Sequence, residues 1–172
     1  MYEVGDKVVY PQHGAGVVVR KDTTSVQGQD REYLIIQILH NEMTVMVPAD
    51  AASEAGLRAV IGADEVEEVL DVLRGENTVI AGNWSRRFKH NQEKLRSGDI
   101  HEVAEVIRNL TGRSREKPIS AGERQLLSRA KKILVSELMY AKGMDEADAT
   151  AYLDERLDEI AVHREAGTLS SS

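Results

Sequence analysis

The sequence predicts an α+β protein in which a small β-rich module precedes a compact helical module. Short β-branched runs separated by turn residues fill residues 1–58, and beyond them apolar residues recur with the period of a helix. We therefore expect a small Tudor- or SH3-like β-barrel at 1–58, a domain of about five helices at 59–168 and a disordered tail at 169–172. A chain of 172 residues is long enough for two such domains.

The first module contains four β-branched runs, at residues 7–10, 17–19, 33–39 and 43–47. Turn-forming residues separate these runs around Gly14, Gly28 and Asn41, and Pro48 stops the last of them. Four or five short strands in a segment of this length are too few for a sandwich. They predict a small and strongly bent barrel.

The second module contains five predicted helices, at residues 65–74, 83–98, 99–111, 120–143 and 145–166. The third and fourth helices open with capping-box spacing, Asp99 with Glu102 and Ser120 with Glu123. The fourth has the clearest apolar stripe. Breaker-rich linkers are expected at 75–82 and 112–119.

The chain has a net charge of −7 but contains two basic segments. Residues 84–96 carry five cations against one carboxylate, and residues 113–132 carry seven cations against two carboxylates. Residues 50–76 and 137–165 are acidic, each with a net charge of −6. This segregation predicts a directional basic surface rather than non-specific polyanion binding by the whole molecule.

The only tryptophan, Trp84, stands among basic side chains in the run 83–90. Lys and Arg neutralise phosphates, while a large flat ring stacks or wedges at a base step. The run is therefore the predicted functional centre, a nucleic-acid site. The helical spacing of Trp84 from Phe88 and Leu95 is also typical of a core residue, so core packing stays open as the alternative.

Residue types that would indicate catalysis or a cofactor are missing or scattered. The five histidines make no i, i+4 pair, the chain has no cysteine, and no Gly-Lys-Ser/Thr follows the glycines near Gly14. No apolar segment approaches the ~20 residues of a membrane span. The lack of cysteine fits the reducing cytoplasm, which is the expected location. We expect no enzyme activity, no cofactor, no metal, no membrane contact and no small-molecule substrate.

A series of motifs runs in order along nearly the whole chain. They are VGDKVVYP (4–11) followed by HG (13–14), MTVMVP (43–48), GLR (56–58), NWSRRFK (83–89), AEVIRNL (104–110) and SAGER (120–124). In content and order the set resembles the CarD/CdnL family of bacterial transcription regulators. An ordered set of this kind is far more specific than any single motif.

The resemblance implies an N-terminal Tudor-like domain that docks on the β subunit of RNA polymerase, as in transcription-repair coupling factor. It also implies a helical domain that faces promoter DNA. In the family, the tryptophan that matches Trp84 wedges into the minor groove at the upstream edge of the melted bubble. By the same resemblance, the DNA-binding residues are Trp84, Arg86, Arg87, Lys89, Arg124 and Lys131.

The resemblance places polymerase binding at Thr24 and Met46. Some actinobacterial members carry arginines for polymerase contact at these two positions, so docking is expected to use other chemistry here. Met46 alternates with Val45 and Val47 along its strand, and it faces outward if the valines face inward. Packing of Met46 in the barrel core is the alternative.

The resulting hypothesis is a non-enzymatic factor that binds RNA polymerase and stabilises the open promoter complex. Two alternatives stay open. One is a polymerase-independent DNA-bending protein that uses the same tryptophan and cations in the minor groove, and the other is a protein–protein adaptor whose basic helices bind an acidic partner. The β-rich module favours the first hypothesis, because a stand-alone architectural protein has no need of an adaptor module.

Overall fold

The computed structural model describes residues 2–77 and 83–170. Five strands come first in these residues: β1 (Lys7–Tyr10), β2 (Gly14–Val26), β3 (Gln29–Ile38), β4 (Thr44–Pro48) and β5 (Arg58–Ala59), with a 3₁₀ turn at Ala49–Ala51. Five helices follow: α1 (Ala63–Arg74), α2 (Trp84–Ser97), α3 (Ile100–Glu116), α4 (Ala121–Lys142) and α5 (Glu146–Ser170). The predicted α+β order is confirmed.

The strands form one antiparallel sheet in the order β4-β3-β2-β1-β5. One face of the sheet encloses an apolar core made of Val8, Val18, Leu34, Ile36, Ile38, Val47, Ala52 and Leu57. The sheet differs from the predicted barrel because it is not closed: β4 and β5 stand at opposite edges and do not pair across the part of the chain described. β5 has only two residues and pairs with β1 in this sheet.

The hairpin of β2 and β3 is longer than the predicted strands, because its outer half is polar and extends beyond the core. The two-residue loop Gln27-Gly28 joins the strands with φ angles of +52° and +79°. Positive φ at both positions is what a type I′ turn requires. A bulge at Val19 interrupts the register with β3 and increases the local twist of the sheet.

The caps confirm most of the predicted helix boundaries. The Asn83 side chain caps α2, which ends at Gly98 with φ of +77°. Ser120 and Glu123 form a complete capping box at the start of α4, and Gly143 ends that helix. α5 runs to Ser170 and so includes the start of the expected tail, whereas residues 171–172 lie outside the described residues.

The linker predicted at 112–119 is confirmed only at 117–119 and is wrong before that, because α3 continues through Gly112 to Glu116. A Cβ atom at residue 112 would lie 2.2 Å from Nδ2 of Asn77. Gly112 therefore permits the chain that follows α1 to pack against α3, and it does not break the helix. The other predicted linker, 75–82, lies outside the described residues from 78 to 82.

The helices enclose a second apolar core, to which all five contribute. α1 buries Val66, Val69 and Leu73 on one face, as its sequence spacing predicts. α3 and α4 form the centre of this core, and Leu95 is the buried apolar residue of α2. Among the helices that the structure describes, none is long and apolar enough to cross a membrane.

The sheet packs directly on α4. The hydroxyl of Ser136 accepts a hydrogen bond from the backbone N–H of Ala15 at 2.9 Å. Gly14 has φ of +91°, and a Cβ atom there would lie 2.8 Å from the same hydroxyl oxygen, so the contact requires glycine. Arg58 of β5 donates two hydrogen bonds to Glu137 of α4. The domain limit expected after residue 58 thus falls within β5, at a close contact between sheet and helices.

Candidate nucleic-acid interface

Trp84 is the first residue of α2 and lies beside the N-terminus of α4. Asn83 caps α2, and its side-chain oxygen accepts a hydrogen bond from the backbone N–H of Arg86 at 3.2 Å. The Trp84 side chain stacks on Phe88, with ring centroids 5.2 Å apart and ring planes at 19°. Trp84 is nevertheless 43% exposed. Phe88 therefore supports the indole while much of its surface faces solvent.

The polar edge of the indole is held by α4. The Nε1–H of Trp84 donates to Oε1 of Glu123 at 2.8 Å and lies 3.1 Å from the hydroxyl oxygen of Ser120. Glu123 is only 2% exposed, and it also closes the capping box with Ser120. A hydrogen bond to a carboxylate is stronger than one to a neutral acceptor. The start of α4 therefore sets the orientation of the ring.

Trp84 combines features of the two interpretations that the spacing left open, a core residue and an exposed nucleic-acid contact. Leu95, which is 2% exposed, is the core residue of α2, and Phe88 is partly buried against the same core. Trp84 lies at the exposed end of the apolar face that Leu95 and Phe88 form. Its partner Glu123 was not predicted as a site residue. The only signal in the sequence was the capping-box spacing, which indicates a helix start and says nothing of the tryptophan.

Arg113 of α3 lies behind the buried carboxylate. Its Nε is 3.8 Å from Oε2 of Glu123. A buried carboxylate needs a compensating positive charge, so Arg113 stabilises the acceptor that holds the indole. Arg113 belongs to the predicted basic segment 113–132 but was not predicted as a site residue.

The basic residues predicted beside the indole differ in their exposure. Arg86 and Lys89 are exposed, and neither forms an ion pair within the described residues. Arg87 is half-buried, and its Nε has no hydrogen-bond partner in the described part of the chain. Arg124 is exposed but anchored, since its Nη1 donates to the carbonyl oxygen of Ile119 at 2.8 Å. The structure thus brings Trp84, the first two turns of α2 and the start of α4 to one surface.

Lys131 lies further along α4 and already has a partner. Its Nζ is 3.4 Å from Oδ1 of Asp154 on α5. Lys131 follows Arg124 by seven residues, which is about 10.5 Å along the same side of the helix. Asp154 therefore competes with any phosphate for Lys131.

Met46 projects outward from β4, an edge strand of the sheet. It is 57% exposed, whereas Val47 is buried and Val45 packs against the sheet core. The outward orientation expected from the alternation is confirmed, and the alternative of a core methionine is wrong.

Thr24 is exposed on β2, on the same face of the sheet as Met46. Met46 pairs with Ile35, and Ile35 pairs with Arg20. Thr24 lies four residues further along β2 than Arg20, which is about 13 Å along the strand. The two residues therefore share a face without being neighbours.

Comparison with known proteins relates these features to a family. Residues 2–61 match the family model of the CarD-like/TRCF RID domain, and residues 68–154 match that of the CarD C-terminal domain. The chain belongs to the CarD/CdnL family. YdeB of Bacillus subtilis (strain 168), assigned as a transcription factor, is 30% identical over 152 residues, which are 88% of this chain and 99% of YdeB. Among solved structures, CdnLNt from Myxococcus xanthus is 38% identical and covers 36% of this chain and 86% of that chain, with a TM-score of 0.31.

Members of the CarD/CdnL family are regulatory transcription factors and not enzymes. This chain is therefore a transcription factor of a family that interacts with RNA polymerase. The first matched region covers the sheet, and the second runs from within α1 to within α5. In the described residues, no three His, Asp or Glu side chains form a group that could hold a metal ion.

Proposed function

We propose that this CarD/CdnL protein binds the β subunit of RNA polymerase through its Tudor-like sheet and stabilises the open promoter complex by wedging Trp84 at the upstream edge of the bubble. The way the indole is held carries the proposal: Glu123 binds its edge, Phe88 supports its face, and Trp84 remains 43% exposed. A ring held in this way has little conformational freedom left to lose when it binds.

A rigid exposed ring favours distorted DNA over a closed duplex. The bases of a closed duplex are stacked, whereas a step at the edge of a melted region offers a gap. Trp84 therefore gains contact mainly in the melted state, and this difference in affinity shifts the equilibrium towards the open complex. Stacking or wedging of this kind contributes ~1–3 kcal/mol. That range corresponds to about one to two decades in the lifetime of the complex.

The basic residues of α2 are proposed to contact the DNA backbone on both sides of the wedge. Arg86, Arg87 and Lys89 follow Trp84 within two helical turns, and the positive end of the helix dipole lies at the same place. Arg124 is next to Glu123 at the start of α4. Contacts of this type position the protein without reading base sequence, so promoter choice would come from the polymerase.

The sheet is proposed to supply the polymerase contact. β4 is an edge strand, and its unpaired backbone groups are available to another chain. Met46 adds an exposed apolar side chain to this edge, and Thr24 lies on the same face. Neither position carries a charge, so apolar contact and backbone pairing would replace the arginines of some relatives.

The lifetime of a heparin-challenged promoter complex tests the wedge. Trp84→Ala should shorten the lifetime by roughly ten- to hundredfold. Trp84→Phe is the matched variant: it keeps an aromatic face but loses the N–H that binds Glu123, so it should retain part of the effect. Both variants should still co-purify with the β subunit and keep the circular dichroism of the wild type.

A wild-type lifetime for Trp84→Ala would contradict the proposal. Loss of helical structure in this variant would show that Trp84 acts mainly by packing in the core. Tight binding of the wild-type protein to closed duplex DNA without polymerase would favour the DNA-bending alternative instead.

A further inference from the structure

A cleft lies where two turns of the sheet meet α4. Its walls are the β1–β2 turn with His13, the β3–β4 turn with His40 and the side of α4 that carries Arg129 and Lys132. The cavity measures about 550 Å³, and no Asp or Glu of the described residues lines it. An acidic chain thus gathers four basic side chains around one space. We call this space the junction cleft.

The junction cleft is formed before any ligand arrives. The Ser136 hydroxyl binds the backbone N–H of Ala15 at 2.9 Å, one helical turn beyond Lys132, and this contact attaches the β1–β2 turn to α4. Gln12, at φ of +68°, and Gly14, at φ of +91°, complete this tight turn. Because the backbone of its walls is already in place, binding would cost conformational entropy mainly in the exposed side chains of Arg129 and Lys132.

The two permanent cations of the cleft have no ion-pair partner within the described residues. They are Arg129 and Lys132, which lie one turn apart on α4. Nδ1 of His40 is buried and has no hydrogen-bond partner there. Burial lowers the pKa of His40, and the charge of Lys132 lowers it further. The Glu146 carboxylate opposes this shift of the pKa, while His13 adds to it.

We propose that the junction cleft binds a phosphate of the DNA backbone and so extends the DNA contact of Trp84 along α4. The choice of DNA as the ligand rests on the proposed function. A guanidinium and an ammonium are the two side-chain groups that bind phosphate best, and Arg129 and Lys132 supply one of each. Gln125 and Ser128, on the same side of α4, add neutral donors.

The position of the cleft favours DNA over a free phosphate compound. Arg124 precedes Gln125, and Lys131 precedes Lys132, so the proposed DNA-binding side of α4 and the wall of the cleft are adjacent strips of one helix. Ser128, which lines the cleft, follows Arg124 by four residues, and Lys132 follows Ser128 by four more, so these side chains are successive neighbours on the helix surface. Successive phosphates of a DNA strand are only about 3.4 Å apart along its axis. A strand that contacts Arg124 therefore has further phosphates close to the cleft.

Phosphate binding in the cleft should change the charge of His40. In the free protein its lowered pKa leaves the imidazole mainly neutral at neutral pH. A phosphate beside it favours the imidazolium form and raises the pKa, so binding takes up a proton. Lys132, His13 and Arg129 face the same space, and the Glu146 carboxylate also acts on His40. These charges act on His40 both with and without the phosphate, so they set its starting pKa but not the sign of the change on binding. Affinity should therefore increase as the pH falls from about 8 to about 6.

The salt dependence of binding to a fork-junction DNA tests the cleft in the full-length protein. Changing both Arg129→Gln and Lys132→Gln should lower the magnitude of the log–log salt slope by about 0.9 for each phosphate that the protein no longer neutralises. The matched control changes Arg20→Gln and Arg74→Gln, two exposed cations outside the cleft, and should leave the slope unchanged. Arg86→Gln, on the surface of the proposed function, is the reference and should lower the slope by about 0.9.

The pH series provides a second readout that a general loss of charge would not reproduce. The wild-type protein should bind the fork more tightly at low pH, and His40→Gln should remove most of that increase. His40→Gln keeps a polar side chain of similar size, and its melting temperature should stay near that of the wild type. An unchanged pH response in His40→Gln would overturn the role of the cleft.

The possible results separate the cleft from the proposed function. If Arg86→Gln lowers the slope and the cleft variant does not, the cleft proposal fails alone. If neither changes the slope, both proposals fail. If only the cleft variant lowers it, the cleft is supported and the surface around Trp84 is not. Tight binding of a nucleoside triphosphate that fork DNA cannot displace would assign the cleft to a free phosphate compound and overturn the proposal.

Discussion

Arg58 and Glu137 join the sheet to the helices through a buried ion pair. Nη1 and Nη2 of Arg58 lie 2.6 and 2.9 Å from the two carboxylate oxygens, and the backbone N–H of Ile61 donates to the same carboxylate at 2.9 Å. Nε of Arg58 donates to the carbonyl oxygen of Gly98 at 3.0 Å. One side chain therefore ties β5, α4 and the end of α2 together. The sheet and the helix that carries Trp84 are thus connected through fixed contacts.

Glu137→Gln should lower the free energy of unfolding by roughly 2–3 kcal/mol. The change removes the counter-charge of Arg58, although glutamine keeps one acceptor. Glu105→Gln is the control: Nζ of Lys94 is also 2.6 Å from Glu105, but this carboxylate is 28% exposed, and such pairs contribute about 0–1 kcal/mol. Urea unfolding of both variants measures the difference. Equal decreases in stability would mean that burial of Glu137 does not determine the strength of the pair.

Gly14→Ala should destabilise the protein more than Gly28→Ala. Both glycines have positive φ, +91° and +79°, so both substitutions carry the backbone cost of about 1–2 kcal/mol. A Cβ atom at residue 28 meets open space, whereas one at residue 14 would lie 2.8 Å from the hydroxyl oxygen of Ser136. We expect Gly14→Ala to cost at least about 1 kcal/mol more in thermal unfolding. Similar melting temperatures for the two variants would show that the junction adapts without cost.

Glu123→Gln should loosen the indole of Trp84. The charged acceptor of the Nε1–H becomes a neutral one, and the ion pair between residue 123 and Arg113 is removed. Because Trp84 is the only tryptophan, its fluorescence reports directly: acrylamide quenching should increase and the anisotropy should fall. The open-complex lifetime should shorten with it. Glu93→Gln, the same change at an exposed site on α2, should leave both readouts as in the wild type, and quenching that is equal in all three proteins would exclude the positioning role.

Met46→Asp should abolish co-purification with the β subunit, because binding would bury an uncompensated charge. The side chain is 57% exposed, so the circular dichroism of the protein should not change. Val162→Asp introduces the same charge at an apolar site of α5 that is 66% exposed, and it should bind polymerase normally. Retained binding by Met46→Asp would move the interface away from this edge of the sheet.

The element order was predictable because its signals are local. Asn83, Ser120 and Gly143 act on backbone groups within one helical turn, so their effect does not depend on the rest of the fold. The same local reasoning failed at Gly112, which was predicted to end the helix. Its missing Cβ atom instead leaves room for Asn77, which comes from a distant part of the chain.

The candidate site was predictable only where its residues are neighbours in the chain. Trp84 and the cations of α2 form one motif. Glu123 comes from α4 and Arg113 from α3, and no local pattern connects either with the tryptophan. The pairing of Lys131 with Asp154 was likewise invisible, because it depends on how α5 packs beside α4.

By itself, the sequence determined the α+β order, the family and the chemistry of the candidate site residues, since periodicity, caps and residue types are properties of adjacent residues. Only the tertiary structure decided which distant groups meet. β4 and β5 lie at opposite edges of the sheet, the buried Glu123 orients the indole of Trp84, and Arg58 reaches Glu137, 79 residues away. Such contacts arise from the packing of the whole chain. A buried charge requires an oppositely charged or hydrogen-bonding partner, and that partner can come from a distant segment that the local sequence does not indicate.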